Sequence, residues 1–375
     1  MKIVLIGNHK GVFPTEITRK LRERGFEVSH VDFVTLAIER EGGTERTYAD
    51  ALQRSRLPAR LKSLSRLRLL RLLLLRAGED IVHFHFARWF YFLLVPTLQR
   101  LPRPSAVTVY GSDYYRIGPL RRRLQRRFFR SVNAVTFTNE ATLAAVIEAD
   151  PGLEAKCSVT RFGLTPLEAI DRYRGMSAER MRDLLGLPTF PVTVCCGYNA
   201  NPGQQHLAMI DALRRLPDAL KVKTLFVFPM GYGGTEGYVE EVKGALRGSG
   251  LAYRVLEEFM QGEKIAALRL LPDIMINMLV TDQFSGSMQE HLYAGNCVIA
   301  GGWLPYETLE SNGVRMLRPG TFEELPEALA TAVKTLQACR ESAPGNESAV
   351  AALSSWSATI GAWEALYNRL AEAKA

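Results

Sequence analysis

Two carboxylates, Asp282 and Glu290, stand eight residues apart around Phe284-Ser-Gly-Ser287, and the stretch runs on through Gly295 into the apolar run Cys297-Val-Ile-Ala300. Ser285, Gly286 and Ser287 form a hydroxyl-rich entry to a helix. The first amides of a helix lack intrahelical partners and sit at the positive end of its dipole, so such an entry attracts phosphate. One turn further in, Glu290 has the chemistry to accept bidentately from the vicinal hydroxyls of a ribose or sugar. Asp282, on the loop before the turn, is placed to reach the sugar itself. The same residues also fit a plainer arrangement, in which Asp282 and Ser285 cap a helix and Glu290 is solvated.

The elements that must position these groups are an alternation of strands and helices. In the first half, apolar runs at 3–6, 27–32, 81–86, 106–110 and 134–138 are separated by helical patterns, which argues a parallel sheet with helices on both faces. The first helix is expected from near Pro14 to Gly25, after the connecting loop Gly7-Asn-His-Lys-Gly11, which is not a dinucleotide fingerprint. The alternation restarts after Leu185-Gly-Leu-Pro188, with strands at 192–196, 224–228, 273–278 and 297–300 and a helix from about His206 to Arg215. The expectation is an α/β chain of two doubly wound, Rossmann-like domains: 1–170 at the N-terminus and 185–354 at the C-terminus, with the boundary within 165–188. Ligands of such sheets bind beyond the carboxyl ends of the strands. Ile360, Trp363, Leu366 and Leu370 fall on one face of a terminal amphipathic helix.

Asp282, Phe284, Glu290 and Gly295 resemble the donor-site signature of glycosyltransferases of GT-B architecture, above all family 4, with Asp for the usual first Glu and Ser285 for the usual Gly. The resemblance implies that Glu290 binds the nucleotide ribose and Asp282 contacts the donor sugar. It also implies that the terminal segment 355–375 packs back on the N-terminal domain, and that the domains close over the donor. Gly197-Tyr-Asn-Ala-Asn-Pro-Gly-Gln-Gln-His206 stands where family 4 enzymes carry two phosphate-gripping cations, which are absent here. That loop and Phe228-Pro-Met-Gly-Tyr232 are similar instead to blocks of the family 56 bacterial 4-acetamido-4,6-dideoxygalactose transferases, which act on lipid-linked acceptors. Coverage of the resemblance is strongest over 185–320. Gly197, Asn199, Gly231 and Tyr232 thereby join Asp282, Phe284, Ser285, Gly286, Ser287 and Glu290 as expected donor-binding residues. Trp303-Leu-Pro-Tyr306 is expected to line the donor pocket or to serve in packing.

The first domain is expected to hold acceptor and catalytic groups. Asp80-Ile-Val-His-Phe-His85 and Val109-Tyr-Gly-Ser-Asp113 resemble the His-x-His and His-Gly-x-Asp segments of GT-B enzymes, with Tyr110 where His is common. An inverting transfer needs a group to take the acceptor hydroxyl's proton. Asp113 is the first choice and His85 the second, each against the alternative of a hydrogen-bonded structural residue. Tyr110, Arg88 and Arg116 are candidate acceptor contacts, the arginines also fitting an ordinary surface role.

Composition bounds the rest. The chain of 375 residues, 47% hydrophobic and 23% charged, is an ordinary globular composition long enough for two domains. Residues 51–130 hold 18 Arg or Lys and three acids, a balance of +15 in a chain of net charge +8. The excess lies in 54–76 and 116–130, where arginines are mixed with Leu and Phe, as suits an anionic membrane surface. Solvated outer faces of amphipathic helices are the plainer reading. No nucleic-acid module accompanies the basic clusters, so nucleic acid is not an expected partner. The apolar stretch Leu69 to Leu75 is too short to span a bilayer, and no targeting segment is visible. Five cysteines without metal-ligand spacing suggest a reducing cytoplasm, and the expected location is cytoplasmic, peripheral on the inner face of the membrane. No Asp-x-Asp occurs, so neither a metal nor another cofactor is expected. The expected function is transfer of a sugar from a nucleotide-diphosphate sugar to a lipid-linked or other anionic glycan acceptor in bacterial cell-surface polysaccharide synthesis. The alternatives are a nucleotide-sugar epimerase of the same fold and a non-catalytic glycan- or membrane-binding relative.

Overall fold

The computed structural model describes residues 1–8, 12–56, 58–76, 78–282 and 284–372. Most of the loop 7–11, Gln283 of the two-carboxylate stretch and the last residues of 355–375 therefore lie outside the described residues. The chain forms two compact units, 1–163 with 356–375, and 164–355. The division falls just before the 165–188 stretch, and residues 164–185 go with the second unit.

The first unit is built on an eight-stranded sheet of β1 (Lys2–Gly7), β2 (Glu27–Asp32), β3 (Ile38–Arg40), β4 (Gly43–Glu45), β5 (Ile81–His85), β6 (Ser105–Val109), β7 (Ala134–Phe137) and β8 (Cys157–Val159). Their spatial order is β4-β3-β2-β1-β5-β6-β7-β8. All neighbours from β2 to β8 are parallel, and β3 and β4 add an antiparallel edge. β5 and β6 are buried along their whole length, which is why they appear in the sequence as continuous apolar runs. The edge strands β3, β4 and β8, three residues each, carry no such run.

The second unit is built on five parallel strands, β9 (Val192–Cys196), β10 (Thr224–Pro229), β11 (Ala252–Leu256), β12 (Ile274–Asn277) and β13 (Cys297–Ala300), in the order β11-β10-β9-β12-β13. Cys195 and Cys196 face opposite sides of β9 and belong to different core clusters, as strand alternation requires. Asn139, Ser177 and Ser285 each cap the helix that follows, accepting from the amide three residues on.

The terminal helix Trp356–Glu372 packs on the first unit. Trp356, Ile360, Trp363, Leu366, Tyr367 and Leu370 are buried against Ile3, Leu5, Ile17 and Leu21. Each such side chain contributes roughly 1.5–3 kcal/mol by leaving water.

Candidate functional site

In each sheet the strand order reverses once, between β1 and β5 in the first unit and between β9 and β12 in the second. At such a switch point neighbouring loops leave in opposite directions, and a crevice opens beyond the strand ends. The expected donor residues gather at the second of these points. The loop after β9 carries Gly197, Tyr198 and Asn199, and the Gly197 amide donates to Ile276 O of β12 at 2.9 Å. Gly197 has φ +69°, and a Cβ there would stand 2.8 Å from Gln204 Oε1 and 3.0 Å from His206 Nε2. Only glycine fits so tight a turn.

Glu290 lies in the helix Gly286–Tyr293, is 6% exposed, and its Oε2 accepts from Arg269 Nε at 2.8 Å. It is therefore neither solvated nor free to bind a diol with both oxygens: one oxygen is taken by a buried guanidinium. Its Oε1 points toward Gly286. Arg269 Nη1 lies 3.3 Å from His291 Nε2, and Asn296 donates to Arg269 O, so the pair is held by a network beneath the helix.

Asp282 is held from the other side. Its Oδ2 accepts from the Tyr306 hydroxyl, which itself accepts from Asn277 Nδ2 at 2.6 Å. Burial and the Asp282 charge push the Tyr306 pKa far above the usual phenol range, so its proton stays on the hydroxyl. Ser285 caps the helix through Met288 N, and Tyr198 N donates to Gln204 Oε1 at 3.3 Å. Ala200 N donates to Tyr232 O at 2.7 Å, joining the loops after β9 and β10. Asn277 Oδ1 and Ser287 Oγ are buried without a hydrogen-bond partner among the described residues, as is His206 Nε2 behind the Gly197 turn. Buried polar atoms are normally satisfied, so these atoms are suited to a ligand.

Gly231 serves in packing: a Cβ there would stand 2.2 Å from Glu258 O, so the loop after β11 presses directly on the loop after β10. Trp303 donates Nε1 to Leu279 O and lies against Gly301, so its role is to close a turn. Phe284 is half-buried beside the helix entry, packed with the cluster that contains Met288 and Tyr306. A separate cavity of about 620 Å³ lies at the opposite, amino-terminal edge of this sheet and is lined by none of the expected donor residues.

The first switch point is made of rings. His83 is fully buried, with Nδ1 2.8 Å from the Tyr367 hydroxyl and Nε2 2.8 Å from Thr108 Oγ1, and burial lowers its pKa to about 3. His85 packs against Gly7, Phe162 and Trp363, and its Nδ1 lies 3.1 Å from the Tyr110 hydroxyl. Burial, then His83 and His30, lower its pKa as well. His85 Nε2 has no partner among the described residues.

Asp113 differs from the expected base. Its Oδ1 accepts from Tyr110 N at 2.9 Å and its Oδ2 from Ala87 N at 2.6 Å, while Gln125 donates to the carbonyls of both Ala87 and Asp113. Burial raises its pKa to about 6 against the pull of these amides. Both oxygens are spent on tying the loops after β5 and β6, so the carboxylate holds backbone. The surface reading of Arg88 is also corrected: its guanidinium lies 4.7 Å over Phe33 and 5.6 Å from the Phe86 ring. Arg116 is exposed; its amide donates to Ser112 O at 3.2 Å, and its side chain makes no hydrogen bond, ion pair or ring contact among the described residues.

Sequence reasoning passed over Tyr198, Arg269 and Asn277. Arg269 left a signal. It sits in Ala266-Ala-Leu-Arg-Leu-Leu271, and a lone arginine among apolar helix residues implies a buried partner.

Among the described residues no three His, Cys, Asp or Glu side chains gather as a metal site, and no helix is long and apolar enough to cross a membrane.

Two Rossmann-like units of this topology are the fold of GT-B glycosyltransferases. Residues 11–159 match the model of Glycosyltransferase Family 4. That match falls in the first unit, opposite to the C-terminal emphasis of the motif resemblance; the likeness of the second unit to family 56 finds no support. No curated protein matches the chain. Among solved structures, the chain is similar to a sucrose-phosphate synthase from Thermosynechococcus elongatus, at 14% identity and TM-score 0.75 over 100% of both chains. It is also similar to a glycosyltransferase from Rickettsia africae, at 15% identity and TM-score 0.74 over 98% of both chains. A third similar structure is Anabaena Alr3699/HepE in complex with UDP and glucose, at 17% identity and TM-score 0.72, covering 98% of this chain and 100% of that one.

Proposed function

We propose that this chain is a glycosyltransferase that takes a sugar from a nucleotide-diphosphate sugar at the second switch point. The observation that carries the proposal is the gathering there of Tyr198, Asn199, Tyr232, Asn277, Asp282, Ser287 and Glu290, with the Asn277 and Ser287 oxygens without a hydrogen-bond partner among the described residues. Glu290, fixed by Arg269, offers Oε1 to a ribose hydroxyl. Asp282, fixed by Tyr306, contacts the sugar, and the amides at Gly286 and Ser287 meet the diphosphate. The Anabaena neighbour's UDP and glucose support this class of donor.

In the first unit His85 is the proton acceptor, since its ring is neutral and its Nε2 is uncommitted; Asp113 orients the loops around it. The transfer runs without a metal.

The acceptor is a lipid-linked or other anionic glycan of cell-surface polysaccharide synthesis, met at an anionic membrane surface. The helix Ala59–Arg76 supports this. It exposes Leu61, Leu64, Leu72 and Leu75 beside the exposed arginines 68, 71 and 76, and Leu120 opens the helix Pro119–Ser131 at 72% exposure.

A thermal-shift screen over nucleotide diphosphates and their sugars tests the donor half; ligand at 100 times its Kd stabilises by about 2.7 kcal/mol. Absence of a shift with every nucleotide overturns the reading, and release of free nucleotide with an altered sugar makes the chain an epimerase. Cosedimentation with anionic and neutral vesicles tests the membrane half, and equal binding to both defeats it.

A further inference from the structure

Away from both crevices, the second unit holds two thiols that glycosyl transfer does not use. Cys297 opens β13 and is 6% exposed, and Cys339 lies near the start of the helix Leu336–Ser354 and is half-buried. Their sulfurs are 2.7 Å apart, although 42 residues separate them in sequence. That is only about 0.65 Å longer than a disulfide bond.

The backbone on both sides is already anchored. The Cys297 amide donates to Asp273 O at 3.0 Å, the Cys339 amide donates to Thr335 O at 2.9 Å, and Arg340 pairs with the Asp273 carboxylate at 2.8 Å. The helix and the strand are thus tied to the same loop, and bond formation needs only a small sulfur movement. Cys195 and Cys196 are buried in β9, where the Cys195 thiol donates to Gly197 O at 3.4 Å, and Cys157 lies in the first unit; none of the three has another sulfur as a hydrogen-bond partner among the described residues.

We propose that Cys297 and Cys339 form a peroxide-responsive pair that closes to a disulfide and fastens the helix Leu336–Ser354 to β13. Cys339, the more exposed thiol, reacts first. Its thiolate attacks hydrogen peroxide, an S–O bond forms as the O–O bond breaks, and hydroxide leaves. The Cys297 sulfur then attacks the sulfenic sulfur; the S–S bond forms, the S–O bond breaks, and the oxygen leaves as water with the Cys297 proton. Two thiols are oxidised by two electrons, and one peroxide is reduced to two waters. The same helix donates from Ser354 Oγ to Gln289 Oε1 at 2.6 Å. The cross-link therefore joins the strand that follows the Glu290 helix to a helix packed on that one.

The test treats the full chain with hydrogen peroxide, blocks remaining thiols with iodoacetamide, and maps the digest by mass spectrometry. The expected product is one cross-linked peptide pair, Cys297 with Cys339, lighter by two hydrogens, with Cys157, Cys195 and Cys196 alkylated. Dithiothreitol reverses it. The cross-link raises the melting temperature by roughly 5–15 °C. Cys339→Ala, a change at a half-buried helix position, shows no peroxide-dependent shift and leaves Cys297 alkylatable. Three outcomes overturn the proposal: Cys339 converted to sulfinic acid with Cys297 still alkylatable, a cross-link from Cys339 to another cysteine, or both thiols unreacted under peroxide that oxidises Cys157.

Discussion

The switch point of the first unit and that of the second share a backbone plan and carry different chemistry. Each opens where the strand order reverses, and among the described residues each holds a non-glycine residue at positive φ, Phe86 at φ +71° and Gln205 at φ +58°. Such residues cost on the order of 1–3 kcal/mol and persist where their surroundings over-determine them. Gln205 is anchored by its donation to Met278 O, and Phe86 by the hydrogen bond that its amide donates to Thr108 O. Around Phe86 the groups are imidazoles and aromatic rings braced by the terminal helix. Around Gln205 they are amides, hydroxyls and two carboxylates, each held by its own partner. Topology thus decides where a crevice lies and side chains decide what it suits. Neutral rings offer shape and a single proton site, whereas fixed amides and carboxylates suit a phosphorylated, hydroxyl-rich ligand.

Acid acts on buried imidazoles in both units. His83 is lowered from 6.5 to about 3 when folded, so the unfolded chain takes up a proton that the folded chain refuses. Its stabilisation is present above pH 6.5 and is lost as pH falls toward 3, about 5 kcal/mol in all. In the second unit His206 is lowered to about 4, for about 3 kcal/mol over a narrower window, and burial with the Arg269 charge lowers His291 well below its usual value. Urea unfolding between pH 7 and pH 4 should show a flatter pH dependence in His83→Gln than in the native chain. Equal slopes would remove the imidazole from the energetics of the first crevice.

Glu290→Ala strands the Arg269 guanidinium in the second unit and should cost about 3–5 kcal/mol. Combining Glu290→Met with Arg269→Met should recover most of that stability and none of the nucleotide-sugar binding, both read by melting with and without ligand. A ligand-dependent shift surviving in the double variant would take Glu290 out of the donor site. Gly231→Ala forces its new methyl against Glu258 O and should cost about 1–3 kcal/mol in urea, a packing effect unmatched by Gly175→Ala, where a Cβ meets open space on a backbone with no positive φ. Tyr306→Phe removes the hydroxyl between Asn277 and Asp282 and should cost about 1–2 kcal/mol while weakening donor binding. Unchanged donor affinity would leave Asp282 a structural residue like Asp113.

Most strands were legible because a strand buried on both faces must be apolar throughout, as Val192-Thr-Val-Cys-Cys196 and Ile274-Met-Ile-Asn277 nearly are. β3, β4, β8 and β11 were not, since short or half-buried edge strands carry no continuous apolar signal. In the site, Asp282, Ser285 and Glu290 were legible because a loop and the helix it enters keep them together locally.

The sequence by itself determined the alternation that makes two doubly wound sheets and the local run from Asp282 to Glu290, both consequences of periodicity and short-range geometry. Only the tertiary structure decided what those groups are free to do. Arg269, 21 residues before Glu290, takes one of its oxygens, and Tyr306, 24 residues after Asp282, holds its carboxylate. Two separated amides likewise make the Asp113 carboxylate a tie between loops. Partners of this kind are chosen by how strands stack side by side, which no local pattern records.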